Sequence, residues 1–359
     1  MSVVDNVVSV RLDDARDTLI LLDQTLLPGE TKYLELTTQQ QIWDAIYRLQ
    51  VRGAPAIGIA AAYGVYLAAK QSPAGDWAAL RADFAKAKEF LASARPTAVN
   101  LFWALDRMQR RLDACQDLPV ADCKAALLEE AQAIRAEDEQ VCKAIGEYAL
   151  GLLKPGMGLL THCNAGTIAT AKYGTALAPI YLGQDRGYHF KVFADETRPL
   201  LQGARLTAWE LSEAGVDVTL VCDDMCSIVM KNGWVDACLV GCDRVAANGD
   251  TANKIGTSTL SIVAKHYGVP FYVCAPTSTI DMACATGKEI HIELRSESEI
   301  STLWYEKPQA PEGVKAYNPA FDVTDHEFIT AIVTEKGVVY PPFTDGLARV
   351  TAESVAPTV

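Results

Sequence analysis

The sequence predicts an α/β protein, with a parallel sheet flanked by helices in its C-terminal part and, before it, a smaller, mainly helical part that carries a short β-sheet. Three observations lead there. From Gly156 onward, apolar runs rich in β-branched and aromatic residues ("MGLLTHC", "YHFKVFADE", "VDVTLVCDD", "DACLVGCD" and "PFYVCAP") alternate with helical stretches, the rhythm of strands joined by crossover helices. Upstream, apolar residues recur at helical spacing in successive segments. The 359 residues also exceed the usual size of one domain, so a main domain with a smaller partner is expected.

The elements follow in order. Within the first 35 residues, "NVVSVRL" and "DTLILLDQTLLPGE", with Pro28-Gly29 as a turn, fit a small hairpin or sheet. In "TTQQQIWDAIYRL", Ile42, Ile46 and Leu49 share one helical face, with Thr37 or Thr38 as the cap. An Ala-rich helix starts at Pro55, a third carries Trp77, Leu80, Phe84 and Leu91, and "RPTAVNLFWALDRMQRRL" carries Leu101, Leu105, Met108 and Leu112. A long helix from about Asp122 to Leu153 leads into the alternating region. The expected organisation is residues 1–125 as small sheet plus helices, 126–153 as connecting helix, and 154–359 as a Rossmann-like α/β catalytic domain. In such open sheets ligands bind beyond the carboxyl ends of the strands. Cys163, Asp195, Glu196, Asp223, Asp224, Asp243 and Thr277 should therefore share one rim.

Composition excludes several classes. Forty-five acidic against 32 basic residues give a net charge of −13, which repels nucleic acid and anionic membranes. The longest nearly uncharged run, Gly53 to Ala69, is shorter than the roughly 20 residues that span a bilayer. No export signal is read at the N-terminus, and ten cysteines without framework spacing suggest reduced thiols in the cytoplasm. No dinucleotide fingerprint, P-loop or serine elbow occurs. Cys222, Cys226, Cys238 and Cys242 form two C-x3-C pairs, but three of them fall in or at the end of expected strands, where Cys acts as a small buried hydrophobe rather than a zinc ligand.

Two residues stand out for chemistry. Cys163 lies where the first strand of the alternating region runs out, ahead of "NAGTIAT", read as a turn opening a helix; the field there favours a thiolate base or nucleophile, the alternative being a buried structural Cys. Asp243 ends an apolar strand, so partial desolvation would raise its pKa toward that of a general acid, the alternative being an Asx turn or cap. Asn253 and Lys254 either hold ligand oxygens or cap the helix starting near Thr257. Arg52 before Gly53-Ala54-Pro55, and Arg95 before Pro96, each set a guanidinium at an expected helix start, a corner that suits phosphate.

Long stretches in this order, "LLDQTLLPGE", "VRGAPAIGIAAAYG", "RPTAVNLFWALDRM", "LTHCNAGTIATAKYGTALAPI", "DETRPLLQGARLTAWEL" and "GCDRVAANGDTANKIGT", resemble the methylthioribose-1-phosphate isomerases, which are relatives of the initiation factor 2B regulatory subunits. The resemblance spans nearly the whole chain. It implies Cys163 and Asp243 as the catalytic pair, and Arg52, Gly53, Ala54, Arg95, Gln202, Asn253 and Lys254 as substrate contacts. It further implies an aldose–ketose isomerase of methionine salvage, acting on a small-molecule sugar phosphate with no cofactor and no metal, as a homodimer. The alternatives are a ribose-1,5-bisphosphate or 5-deoxyribose-1-phosphate isomerase, or a non-catalytic initiation factor 2B-like subunit.

Overall fold

A computed structural model describes residues 2–96 and 98–352, apart from the side chain of Asn6. The chain forms two compact units, one made of Val4–Val141 with Thr167–Gly174, the other of Cys142–Gly166 with the chain from Thr175 onward. No helix among the described residues is long and apolar enough to cross a membrane.

The first unit opens with a three-stranded antiparallel sheet, β1 (Val10–Asp13), β2 (Thr18–Leu22) and β3 (Tyr33–Leu36), in that order. Helix α1 (Gln39–Tyr47) starts at a reciprocal capping box, Thr38 accepting the Gln41 N–H while the Gln41 side chain reaches back to Thr38. Then come α2 (Ala54–Gln71), α3 (Trp77–Ala92), α4 (Val99–Asp113) and α5 (Val120–Leu150). Helix α2 is apolar on all sides and is buried from Ala56 through Leu67, so it forms the centre of this unit. Its small residues admit neighbours closely, Gly58 against Asn100 and Ala104, and Gly64 against Leu91 and Ile42. The compact units divide inside α5, at Val141, rather than at either end of a connecting helix. Leu127, Ala131 and Ile134 join the first core, whereas Gly146 packs on Ala178 and Leu182 of the second unit.

The second unit carries β4 (Gly158–His162), α6 (Ala178–Asp185), β5 (Lys191–Asp195), α7 (Ala208–Glu213), β6 (Asp217–Val221), α8 (Cys226–Lys231), β7 (Ala237–Val240), β8 (Arg244–Ala246) and β9 (Thr251–Lys254). It continues through α9 (Thr257–Tyr267), β10 (Phe271–Cys274), β11 (Ile280–Asp281), α10 (Ser298–Ser301), β12 (Phe321–Thr324), β13 (Ala331–Thr334), β14 (Gly337–Val339) and α11 (Phe343–Ala352). The main sheet has the order β14-β13-β10-β7-β4-β5-β6; every pairing is parallel except that of edge strand β14 with β13. The α/β class and the five strands expected from Gly156 onward are therefore present. From β4 the chain first adds β5 and β6 on one side, then returns to place β7 and its successors on the other. The strand order reverses between β4 and β7, the place where an open α/β sheet leaves a crevice beyond its strand ends.

A second, four-stranded sheet, β11-β8-β9-β12, has no counterpart among the elements expected from the sequence. Its centre is the β8–β9 hairpin, whose turn is fixed by Asp250. That carboxylate accepts hydrogen bonds from Asn248 Nδ2, the N–H of Gly287 and the N–H of His326, and lies 2.7 Å from His326 Nδ1. Burial alone would raise its pKa, but these hydrogen bonds outweigh burial and hold it down at about 2. A depressed carboxyl stabilises the fold above its unfolded value of 3.8 and loses that contribution as pH falls toward about 2. Asp250→Asn is expected to lower stability at neutral pH by about 2 kcal/mol. Urea unfolding of both proteins should show the gap closing as the pH is lowered through the carboxylate range.

Candidate active site

The end of β4 and the end of β7 lie side by side. These strands pair in register with His162 opposite Val240, so Cys163 is one residue, and Asp243 three residues, beyond the last paired positions. The loops that follow also touch, because a Cβ on Gly241 would lie 2.7 Å from the Ala165 side chain and only a glycine permits that approach.

Cys163 is buried and turns the chain with φ +65°, the left-handed region. For a residue with a Cβ this conformation costs roughly 1–2 kcal/mol, so the surroundings must impose it. Its backbone N–H donates to Thr197 Oγ1 at 2.8 Å, and its carbonyl accepts from Thr207 Oγ1 at 2.6 Å. Thr197, itself at φ +63°, is held by its N–H to Asp223 Oδ1. Next along, Asn164 Nδ2 donates to Thr207 Oγ1 and to the buried Glu210, which also accepts from the Tyr181 hydroxyl at 2.6 Å. A Cβ on Gly166 would lie 2.1 Å from Glu210 Oε1. Gly166→Ala is therefore expected to cost about 1–3 kcal/mol by pushing this carboxylate off its partners, and to appear as a lowered melting temperature.

The expected helix after Cys163 is absent. A three-residue 3-10 turn, Thr167–Ala169, follows instead, and α6 begins only at Ala178. Thr170 and Gly174 divert the backbone, the Gly174 N–H bonding Thr170 Oγ1 and the Lys172 carbonyl. No helix field therefore acts on the thiol from this segment, and two hydroxyl groups hold the residue's backbone instead.

His162, the residue before the thiol, is fully enclosed, with Nδ1 3.0 Å from Asp195 Oδ2 and Nε2 2.8 Å from the Ile255 carbonyl. Burial works against a charged imidazole, yet the Asp195 carboxyl beside it raises the His162 pKa, while burial pushes Asp195 up to about 6. With oxygens facing both ring nitrogens, the pair holds one shared proton. Gly256, at φ +103°, has its absent Cβ 2.7 Å from the His162 ring, so this contact requires glycine and ties β4 to the turn after Lys254. His162, Asp195 and Asp223 place ligand-type atoms within 4.8 Å of one another. Protein groups already engage them, since the Asp223 oxygens accept the N–H groups of Thr197 and Arg198.

Asp243 and the Asn253-Lys254 pair, ten residues apart in the chain, meet through the hairpin. The Asp243 N–H donates to the Ala252 carbonyl at 2.9 Å, and Arg244 lies opposite Ala252. Asn253 is buried and donates to Thr257 Oγ1, while Lys254 Nζ bonds the Ala320 carbonyl at 2.9 Å over the Phe321 ring. The expectation that Asp243 is partly desolvated is not met, because its side chain is exposed. The apolar run stops at Val240, and Gly241 and Cys242 carry the chain clear of the sheet before Asp243. Gln202 is buried, and its Oε1 has no partner among the described residues. Such an acceptor, left dry, costs free energy until a donor reaches it.

Of the other expected contacts, Arg52, Gly53 and Ala54 lie at the start of α2 in the first unit. Gly53 caps that helix at φ +88°, where a Cβ would meet the Ala169 carbonyl at 2.4 Å. Arg95 does not precede a proline at a helix start. Pro96 sits in a turn closed by the Ala98 N–H and the Arg95 carbonyl, and α4 begins at Val99; Thr97 of that motif lies outside the described residues. Cys226 and Cys238 are buried, Cys222 is exposed, and Cys242 bonds Thr279. The sequence offers weak signals for Thr197 and Thr207, and His162 reads there as one of five scattered histidines.

The chain belongs to the Initiation factor 2 subunit family, whose model matches residues 50–341. Within it, the chain is 67% identical over 338 residues, 94% of each chain, to a protein of Symbiobacterium thermophilum named methylthioribose-1-phosphate isomerase. It is 59% identical over 343 residues, covering 96% of this chain and 99% of the relative, to the 5-deoxyribose 1-phosphate isomerase of Petrotoga mobilis. The crystal structure of 5-methylthioribose 1-phosphate isomerase from Pyrococcus horikoshii OT3 superposes with a TM-score of 0.92 at 41% identity, covering 97% of this chain and 96% of that one.

Proposed function

We propose that this chain is an aldose–ketose isomerase that converts 5-methylthioribose 1-phosphate into 5-methylthioribulose 1-phosphate, with Cys163 and Asp243 as its reacting pair on a Rossmann-like domain. One observation carries the reading: a thiol and a carboxyl stand at the ends of the adjoining strands β4 and β7, where the strand order reverses. The anomeric carbon of this substrate bears phosphate, so the ring cannot open to an aldehyde unaided. An acid must protonate the departing ring oxygen, and the C2 hydrogen must reach C1, either as a proton carried by a second group or as a hydride that shifts directly. We assign the proton route. Asp243 is assigned the first task and Cys163 the second. The sugar itself would exclude water from Asp243. Lys254, Asn253 and the unsatisfied Gln202 Oε1 supply polar partners for phosphate and hydroxyls.

A second reading, 5-deoxyribose 1-phosphate as substrate, is supported by the names of several relatives, and the two sugars share an apolar C5 end. NMR detection of ketose phosphate from each sugar, in parallel and in competition, decides between them. No ketose from either sugar would overturn the isomerase assignment and leave a non-catalytic subunit. We further infer a homodimer, supported by Leu220, Met225, Ile228 and Trp234, which are exposed on and after edge strand β6. Light scattering on the eluted protein measures this directly.

A further inference from the structure

We infer that Thr207, together with Thr197, is a positioning residue for the reaction: a pair of hydroxyls that clasps the Cys163 backbone and thereby fixes where the thiol stands. This rests on the reading of Cys163 as a reacting group. The β4 ladder ends at His162, so buried Cys163 lies one residue beyond the last paired position. Buried backbone groups must be satisfied, and here side chains satisfy both, Thr197 Oγ1 accepting the N–H and Thr207 Oγ1 donating to the carbonyl.

Each hydroxyl is fully committed. Thr197 passes its proton to the Asp195 carbonyl, and Thr207 accepts from Asn164. A strand continued through Cys163 would put its side chain on a face of the sheet. The clasp instead holds the residue at φ +65°, out of the strand.

The fold makes a special provision for Thr207. It closes a π turn, Gly203–Thr207, in which the Ala208 N–H bonds back to the Gly203 carbonyl, and such widened turns are frequent at functional sites. The turn is anchored where Gly203 lies against Asp195. A Cβ there would fall 1.6 Å from the Asp195 carbonyl oxygen and 2.9 Å from Thr197 Oγ1, so the start of the turn and the other half of the clasp are built against each other. A threonine that merely stabilised α7 would need neither the wide turn nor this approach. Both threonines are wholly buried, so neither is available to touch a ligand by itself.

The test compares Thr207→Val, which keeps the shape and removes the hydroxyl, with Thr207→Ser, which keeps the hydroxyl. The readouts are kcat and KM with methylthioribose 1-phosphate, melting temperature, and the pH profile of iodoacetamide alkylation at Cys163, followed on its own peptide by mass spectrometry. Thr207→Val is expected to lower kcat by about 10–100-fold, the loss that misplacing a reacting group by up to about 1 Å brings, with KM within about twofold, and to displace the alkylation profile. Thr207→Ser is expected to restore both.

Unchanged kcat and alkylation in Thr207→Val, or equal damage in Thr207→Ser, would overturn the inference. If Thr207→Val does not fold, Thr197→Val against Thr197→Ser decides by the same criteria. The catalytic reading fails separately: full turnover in Cys163→Ala would end it, while the alkylation profiles would still judge the clasp.

Discussion

Cys163→Ala is expected to reduce turnover by about 10²–10⁴-fold, the range that a positioned proton-transfer group contributes, while leaving the protein folded. The two halves of this expectation have separate grounds. Alanine also carries a Cβ, so it neither adds to nor relieves the strain of the left-handed turn, and the N–H and carbonyl that Thr197 and Thr207 hold are still there to be held. What is lost is the sulfur atom, whose removal from a buried position costs about 1 kcal/mol, the size of a small cavity. Melting temperature should therefore move by only a few degrees while product formation vanishes. Cys163→Ser sharpens the comparison, because a hydroxyl fills the space but is a far weaker proton carrier. An NMR product assay at saturating substrate, with the melting curve recorded on the same samples, reads both effects. A rate within tenfold of the wild type in either variant would remove the thiol from the mechanism.

How much of this was legible in the sequence follows the range of the forces involved. Strands β4, β5, β7 and β10 announce themselves because a strand buried on both faces is a local run of apolar residues, the largely exposed edge strand β6 by its β-branched residues, and α1 because Thr38 and Gln41 make its cap within four residues. That Cys163 and Asp243 follow strands was legible for the same reason, although their distances from the last paired residues, one for Cys163 and three for Asp243, were not.

What was not legible depends on contacts distant in the chain. The β8–β9 hairpin reads as a loop because its strands are three and four residues long, and its turn is held by His326 and Gly287, far from Asp250 in sequence. The helix expected after Asn164 fails because Thr170 and Gly174 offer the backbone competing hydrogen bonds. The desolvation expected of Asp243 fails because two residues separate it from the sheet, a spacing that the apolar pattern alone does not resolve. His162 shows the converse case. A single histidine among five has no pattern, yet the fold encloses it between Asp195 and Ile255 and makes it the link between β4 and the end of the hairpin.

Asp243→Asn should likewise reduce turnover by about 10²–10⁴-fold, because an amide of the same shape cannot give up a proton to a departing ring oxygen. The exposure of Asp243, which departs from the sequence expectation, makes this the cleaner of the two tests. Asp243 is exposed, so its substitution leaves no cavity in the core, and a melting curve recorded beside the rate separates lost activity from lost structure. Asn keeps an acceptor oxygen, so substrate should still bind, and calorimetric titration of the slow variant with methylthioribose 1-phosphate should give an affinity close to the wild-type KM. Retained binding with lost turnover identifies a group that acts in the transition state rather than one that holds the ground state. If the two groups act in one sequence of proton movements, the double variant Cys163→Ala/Asp243→Asn should be little worse than the poorer single variant, since the second substitution removes a step that the first has already stopped. Additive losses would instead mean that the thiol and the carboxyl contribute independently, and the pairing drawn from the adjoining ends of β4 and β7 would fail even with each residue essential.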